Sequence, residues 1–431
     1  MNFKKRSVSH IIKQTFRSLK YRNFRLFFFG NGISLIGTWI QRIALPWLIY
    51  SISDSIMLLG VAGFLGQIPT LIISPFAGVL IDRYNKFKIL LWVQIIPMAQ
   101  ALLLAFLVIS GYAQIWHILV LSAILGVVTS FEMPIRQSFM IHLIENKDDL
   151  FNAISLHASM VNVARLIGPV LAGIIIGFKG EGACFLINAF SFSFVIIFLL
   201  MMKLEYKHKR PLQTNIIKEF KQGLAYTFSL LPIRNVITIL AIVSIMSMPY
   251  TVLMPAFVKN YLDGTSHTFG FLMGADGLGA ILGAIFLASR NTIKGIIKLI
   301  PIAATILGFA MIAFSLSAQY LQSIAIATSL LIVTGMSMLF VLTCSNTFLQ
   351  TVSDEDKRGR VMSFYTMAFM GTAPLGSLLT GFLGDVFGAP ITVIIGGTAC
   401  LLIAVWFKCH FKTFKQMTAP IYERIGITDK L

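Results

Sequence analysis

Charge is what this sequence has least of. Only 12% of its 431 residues are charged, about half the ~25% of an ordinary soluble domain. Acids are the scarcer sign, with 17 Asp and Glu against 35 Lys and Arg. Hydrophobic residues make up 57% of the chain and the mean hydropathy is +0.83. Keeping such a chain in water would require burying nearly all of it, which surface-to-volume scaling forbids at this length. Cysteine is scarce too. Cys184, Cys344, Cys400 and Cys409 form no CxxC pair and have no His at ligand spacing, so neither a disulfide framework nor a zinc site is expected. No nucleophile triad, phosphate loop or metal cluster stands out, and no soluble nucleotide-binding domain is present to hydrolyse ATP. No metal and no cofactor are therefore expected. The opening MNFKKRSVSHIIKQTFRSLKYRNFRLFFFG lacks a small-residue cleavage site, and its apolar run from Phe24 continues into a full span, so it is not read as a secretory signal.

What is abundant is long apolar runs. Crossing ~30 Å of hydrocarbon takes about 20 residues. Such runs fall at 24–50, 56–81, 89–110, 116–140, 153–177, 183–203, 233–260, 268–289, 299–318, 323–351, 361–385 and 391–410. Prolines inside them do not oppose helix, because membrane helices tolerate them. With both termini on one side, the same-side segments hold 29 of the 35 Lys and Arg, and the opposite loops hold only Lys179 and Lys259. By the positive-inside rule both termini are expected in the cytoplasm. The net charge of +18 then reports topology, and nucleic acid is not an expected partner.

The widest basic-side segment, 203–235, divides the spans six and six. The expected organisation is a basic N-terminal segment (1–23), a six-helix bundle (24–203), a linker (204–232), a second six-helix bundle (233–410) and a tail (411–431). Within the linker, Ile216, Ile217, Phe220, Leu224, Phe228 and Leu231 form an apolar stripe opposite Lys218 and Lys221, the pattern of a helix lying in the headgroup plane. The halves also echo each other. QSFMIHLIENKDDLFNAIS (137–155) is matched by NTFLQTVSDEDKRGRVMS (346–363), each leading into a helix rich in Gly and Pro.

GVLIDRYNKFK (78–88) resembles the signature loop of the major facilitator superfamily, and ARLIGPVLAG (164–173) resembles its antiporter motif. FRLFFFGNGISLIGTWIQRIALPWLIY (24–50), FEMPIRQSFMIHLI (131–144) with LFNAI (150–154), and RGRVMSFYTMAFMGTAPLGSLLTG (358–381) resemble the branch that holds the enterobactin exporter and the macrolide efflux proteins. The resemblance implies an all-α integral membrane protein, with twelve transmembrane helices in two six-helix bundles of 3+3 inverted repeats and a substrate site between the halves. Two departures stand out. The fourth span lacks the buried mid-helix Arg of many drug/proton antiporters, and GAIFLASRNTIK (283–294), counterpart of the signature loop, has lost its Asp.

From the signature loop the resemblance implies a conformational latch. Gly78, Asp82, Arg83 and Lys86 would face Arg136 and the positive N-terminal end of the eleventh span at Gly359 and Arg360, where unpaired N–H groups point outward. Gly168, Pro169 and Gly173, with Pro374 and Gly376, are read as helix pivots that permit close approach. Charge inside a span is costly and by default faces a cavity or a partner. Glu132 and Arg136, four residues apart, can pair along one helix. Arg42, beside Gln41, is a candidate cavity cation, and Phe64, Gln67, Phe271, Met273, Met336 and Asn346 are candidate cavity liners. Asp276 is the leading candidate for carrying a coupling proton and Glu132 the competing one. Asp276 lies about 13 Å into the eighth span at ~1.5 Å per residue, among glycines that let neighbouring backbone exclude water.

The expected function is a secondary active transporter working by alternating access, a proton-driven exporter of a small amphipathic organic molecule. A siderophore is favoured over a macrolide or multidrug cargo, with siderophore import or lysolipid flipping as further alternatives on the same fold. A non-transporting membrane receptor or assembly factor is the rival from another class, and a transmembrane enzyme is disfavoured. The expected partners are the small-molecule substrate and the lipid bilayer, the expected site is the bacterial inner membrane, and the expected state is a monomer.

Overall fold

The computed structural model describes residues 14–202, 225–290, 295–354, 357–411, 414 and 416–418, with side chains at 74–76, 78–80, 82, 83, 133, 137, 138, 141, 142 and 147 excepted. Among the described residues there is no strand, and twelve helices are long and apolar enough to cross a membrane. They are α1 (Arg22–Ser53), α2 (Ile56–Arg83), α3 (Lys86–Ile109), α4 (Ile115–Leu143), α5 (Leu150–Lys179) and α6 (Glu181–Leu200). The second set is α7 (Leu231–Tyr261), α8 (Ser266–Ala288), α9 (Ile296–Leu321), α10 (Ile324–Val352), α11 (Arg358–Phe387) and α12 (Ala389–Cys409). The helices form because lipid offers no hydrogen bonds, so each apolar run must satisfy its own backbone. Many large apolar side chains, such as Phe106, Phe178, Phe190 and Ile285, remain exposed, as expected where the solvent is hydrocarbon. The amphipathic stripe expected at 216–231 lies mostly outside the described residues.

Three of the described spans are not regular helices, and α9 ends in a π-helical turn, Ser317–Leu321. α7 is interrupted between Met246 and Tyr250. Pro249 has no N–H for the Ile245 carbonyl, and its ring obstructs the preceding turn. α11 carries a π-helical stretch, Met367–Gly371. The irregularities of α7 and α11 answer each other, since the Ser244 hydroxyl donates to the Phe369 carbonyl at 2.5 Å.

The chain divides into two compact units, one of Met1–Leu45 with Ile72–Pro211 and one of Pro46–Leu71 with Leu212–Leu431. The far end of α1 and the near half of α2 thus belong with the second set of helices. Gly60 shows how tightly they join it: a Cβ there would come within 2.6 Å of the Gly381 Cα. Tyr50 accepts a hydrogen bond from Asn260 at 2.7 Å, and Lys259 sits over the rings of Trp47 and Tyr50.

The repeat heard faintly in the sequence is plain in the turns. Asp54, after α1, and Asp263, after α7, both take a left-handed φ of 47°. Gly180 joins α5 to α6 at φ 77° and Gly388 joins α11 to α12 at φ 83°, a conformation that a side chain would strain. At the basic end each unit carries the same clasp. The Tyr21 hydroxyl donates to Asp149 at 2.8 Å and the Tyr226 hydroxyl makes a 3.1 Å hydrogen bond with Asp354. Both pairs span 128 residues.

Candidate functional site

In the first unit the charged residues of the spans gather on α1, α4 and α5. Arg136 is ion-paired with Glu132 on α4, with side-chain exposures of 12% and 32%. Arg42 is exposed and its guanidinium carbon lies over the Trp39 ring, 4.7 Å from its centroid. Trp39 is seated by Gly168 of α5, where a Cβ would overlap the Trp39 Cβ. This gives Gly168, expected as a pivot, a local reason: it makes room for the shelf on which Arg42 rests. Arg42 also lies within electrostatic reach of Glu132 and Arg165. Glu132 and Arg165 are near the middle of their helices and Arg136 is one turn further along α4, so among the described residues the group holds three arginines and one acid within the spans. Such a surplus attracts anions, and in a medium of low dielectric it does so strongly.

Gln41, expected beside Arg42 at a cavity, is placed elsewhere. It is buried, donates to Gln100 of α3 at 3.0 Å and accepts from Asn188 of α6 at 2.7 Å. Both ends of its amide are used in tying three helices together, because successive residues on a helix point about 100° apart. Further along α5, His157 meets Asn31 of α1 at 3.0 Å and stacks on Phe27.

Among the described residues of the second unit, Asp276 is the acid at mid-depth. Asp276 is 6% exposed and its Oδ1 accepts a 2.6 Å hydrogen bond from the Tyr250 hydroxyl. Gly335 of α10 packs directly on it, since a Cβ there would overlap the Asp276 carbonyl oxygen and lie 2.9 Å from Oδ1. The water exclusion expected from neighbouring glycines is therefore supplied partly by a glycine of another helix. Phe271 stands away from this face, 53% exposed on a stripe with Leu278, Leu282 and Ile285. Met273 is half-buried and Met336 packs against Gly283. Asn346 accepts from Gln350 at 2.6 Å and hydrogen-bonds Tyr365. Phe64 is half-buried and Gln67 donates back to the Gly63 carbonyl of its own helix at 3.2 Å.

The latch residues are only partly in view. Gly78, Asp82 and Arg83 fall among the side chains outside the described residues, and Arg136 is held by Glu132. Lys86 follows Asn85, whose side chain caps α3 through the N–H groups of Phe87 and Lys88. A Cβ at Gly359 would meet open space, and Arg360 is half-buried. Pro169 and Gly173 are buried in α5 and Pro374 in α11, while Gly376 lies on the Ile245 carbonyl freed by Pro249.

Tyr250 and the two clasps were not singled out from sequence. A tyrosine one residue after a proline in a broken span was the available signal for the first. For the clasps, laying 137–155 against 346–363 end to end sets Asp149 opposite a basic residue, whereas the hydrogen bonds give it the role of Asp354.

The sequence profile of the transmembrane secretion effectors matches residues 13–422. The chain belongs to that family of major facilitator transporters. Two relatives of the chain carry names that state a cargo. The staphyloferrin A transporter of Staphylococcus aureus is 25% identical over 390 residues, 89% of this chain and 95% of the relative. Macrolide efflux protein A of Streptococcus pyogenes is 21% identical over 392 residues, 90% of this chain and 96% of the relative. Among solved structures, a bacterial homologue of the iron transporter ferroportin in an inward-facing state superposes with a TM-score of 0.70 at 14% identity, covering 92% of this chain and 99% of that one. A bacterial homologue of the lysosomal transporter Spinster does so with a TM-score of 0.68 at 13% identity, covering 92% and 97%. These structures share the fold, and the relatives are transporters rather than enzymes. The chain is thus a multi-pass membrane transporter.

Proposed function

We propose that this transporter is a proton-driven exporter of a small, anionic organic molecule of the siderophore class, acting in the bacterial inner membrane with both termini in the cytoplasm. The observation that carries the reading is the arginine group of the first unit. Arg42 lies on Trp39 with no carboxylate ion-paired to it among the described residues, and Arg165 and the Glu132–Arg136 pair complete a cationic surplus at membrane depth. An anionic cargo with oxygen ligands for iron would be matched by such a surface, because charge-assisted and bidentate contacts to guanidinium are the strong ones. The likeness to a siderophore transporter supports the same class.

Asp276 is the coupling acid in this reading. It is the buried carboxylate at mid-depth of α8, and intramembrane acids of this kind mark proton paths. Glu132 is the less suitable carrier, because it is already engaged in an ion pair with Arg136 on the same helix face.

Efflux of a macrolide is the second reading, favoured by the macrolide efflux relative. A macrolide with a protonated amine would meet the wrong charge at Arg42. A deletion strain and its parent, grown under iron limitation, separate the two. The siderophore reading expects less iron-chelating material in the deletion medium and unchanged macrolide susceptibility. Unchanged secretion with raised macrolide susceptibility would replace it with the second.

A further inference from the structure

We propose that Tyr250 is a positioning residue for proton coupling, a hydroxyl that the break in α7 carries onto and off the carboxylate of Asp276. The inference rests on the reading of Asp276 as the coupling acid and names the group that controls it.

Three observations place the acid on a locked pair of helices and its donor just beyond a break in another. Asp276 belongs to a fixed pair of helices. Gly279 of α8 lies on the Ile332 carbonyl of α10, and Gly335 of α10 lies on the Asp276 carbonyl, each so closely that a Cβ would overlap the oxygen. Two backbones in such contact at two points cannot slide without a clash. Tyr250, by contrast, is the first residue after the interruption of α7. Across that interruption the chain is held by turn bonds, Ser247 N–H to the Val243 carbonyl at 2.8 Å, Tyr250 N–H to the Ser247 carbonyl at 3.1 Å and Val252 N–H to the Pro249 carbonyl at 2.9 Å. The part of α7 before it is seated, since Gly376 of α11 and Gly396 of α12 lie on the Ile245 and Met246 carbonyls, so Tyr250 opens the part beyond the bend. Discontinuous helices are the elements that membrane transporters flex and use to line ion sites. The third observation is the contact itself, a 2.6 Å hydrogen bond between side chains that are each 6% exposed.

A phenol placed so can only donate to an ionised carboxylate, or share a hydrogen bond with a protonated one. If α7 bends at residues 247–249, the hydroxyl moves while the acid stays. Withdrawing the donor removes one hydrogen bond that favours the ionised form of a buried carboxylate, and so shifts it toward taking up a proton. Returning the donor favours release. The hinge angle of α7 and the proton on Asp276 are thereby linked, as coupling between conformation and ion requires.

The test uses the full-length transporter in proteoliposomes, with the secreted chelator purified from the parent strain as cargo. Tyr250→Phe keeps the ring and removes the donor. Its gradient-driven accumulation should fall by about tenfold, the scale of one hydrogen bond to a charged group, while exchange of cargo without a gradient persists and shows that the variant is folded. Infrared difference spectra on a pH jump should show a carboxyl band that is lost in Asp276→Asn and displaced in Tyr250→Phe, a change that a packing role for the ring would not produce. Accumulation and band both unchanged in Tyr250→Phe, with Asp276→Asn uncoupled, would overturn the role of Tyr250 and leave Asp276 as the coupling acid. Gradient-driven accumulation that survives in Asp276→Asn would overturn both. Should Tyr250→Phe lose exchange as well, the band decides: displaced supports the proposal and unmoved rejects it.

Discussion

The two units are built alike at their ends and differently at their centres. Each has the same glycine turn before its last helix and the same tyrosine–aspartate clasp at the basic end, and α1 and α7 both end in a left-handed aspartate. At mid-depth the first unit gathers arginines around one half-exposed glutamate, whereas the second seals one aspartate under a tyrosine and a glycine. A repeat retains what holds a bundle together and diverges where chemistry is needed. On the proposed function, cargo recognition falls to the first unit and ion handling to the second, a division that can be broken at each point.

The largest effect is expected from Gly335→Ala. The added methyl would overlap the Asp276 carbonyl, and forcing two packed backbones apart costs about 1–3 kcal/mol or more. Transport should be lost and the thermal midpoint of the purified protein should drop. Unaltered flux would show that α8 and α10 are not locked. Next come the two charges. Arg42→Gln should raise the KM for an anionic cargo by about tenfold, the worth of one charge-assisted contact, with accumulation still following the gradient at saturation. Asp276→Asn should do the reverse, leaving KM near its original value and removing the response to the gradient. If each variant showed the other's behaviour, the division between units would be inverted.

A smaller effect is expected at the clasps, and they are not equal. Asp149 is held by Lys20 at 2.7 Å and Arg17 at 3.0 Å as well as by Tyr21, while Asp354 has Tyr226 and a looser Lys357 at 3.5 Å. Asp149→Asn should therefore lower the thermal midpoint more than Asp354→Asn. The Lys20 ammonium, and after it the Tyr21 hydroxyl, hold the Asp149 carboxyl below the usual carboxylate range, and Asp149 holds Lys20 above the usual ammonium value. A lowered acid contributes stability above its unfolded pKa and loses it as pH falls through its folded one; a raised base contributes below its unfolded pKa and loses it as pH rises through its folded one. The gap in melting midpoint between the parent and Asp149→Asn should thus be level through neutral pH and close in acid. A gap that closed near neutrality would refute this account of the clasp. Least of all should come from Gly359→Ala, whose methyl would meet open space; it should leave melting and flux unchanged, and a clear loss of flux would show that the position is crowded elsewhere in the cycle.

The twelve spans were legible because length and apolar composition decide them in lipid, where no competing structure can satisfy the backbone. The intramembrane charges were legible for the same reason, each being too costly to be accidental. Which charge meets which side chain was not. Gln41 and Arg42 are neighbours in sequence and point to different helices, and Phe271 and Asp276 share a span but not a face. Those assignments depend on rotation of each helix against its neighbours, and a helix apolar around its whole circumference carries little periodicity from which to read rotation. The Glu132–Arg136 pair was legible because it is closed within one helix.

The interruption of α7 also bears on the order in which the protein is made. Ser244 is synthesised 125 residues before the Phe369 carbonyl to which its hydroxyl donates, and the Ile245 carbonyl left without a partner by Pro249 is covered by Gly376 of the same late helix. A nascent chain halted after α10 would hold an unsealed break at membrane depth, where each orphaned polar group costs several kcal/mol. The second unit is thus expected to settle late, when α11 leaves the ribosome, and truncations before that helix should be recognised as unfinished by the quality control of the membrane.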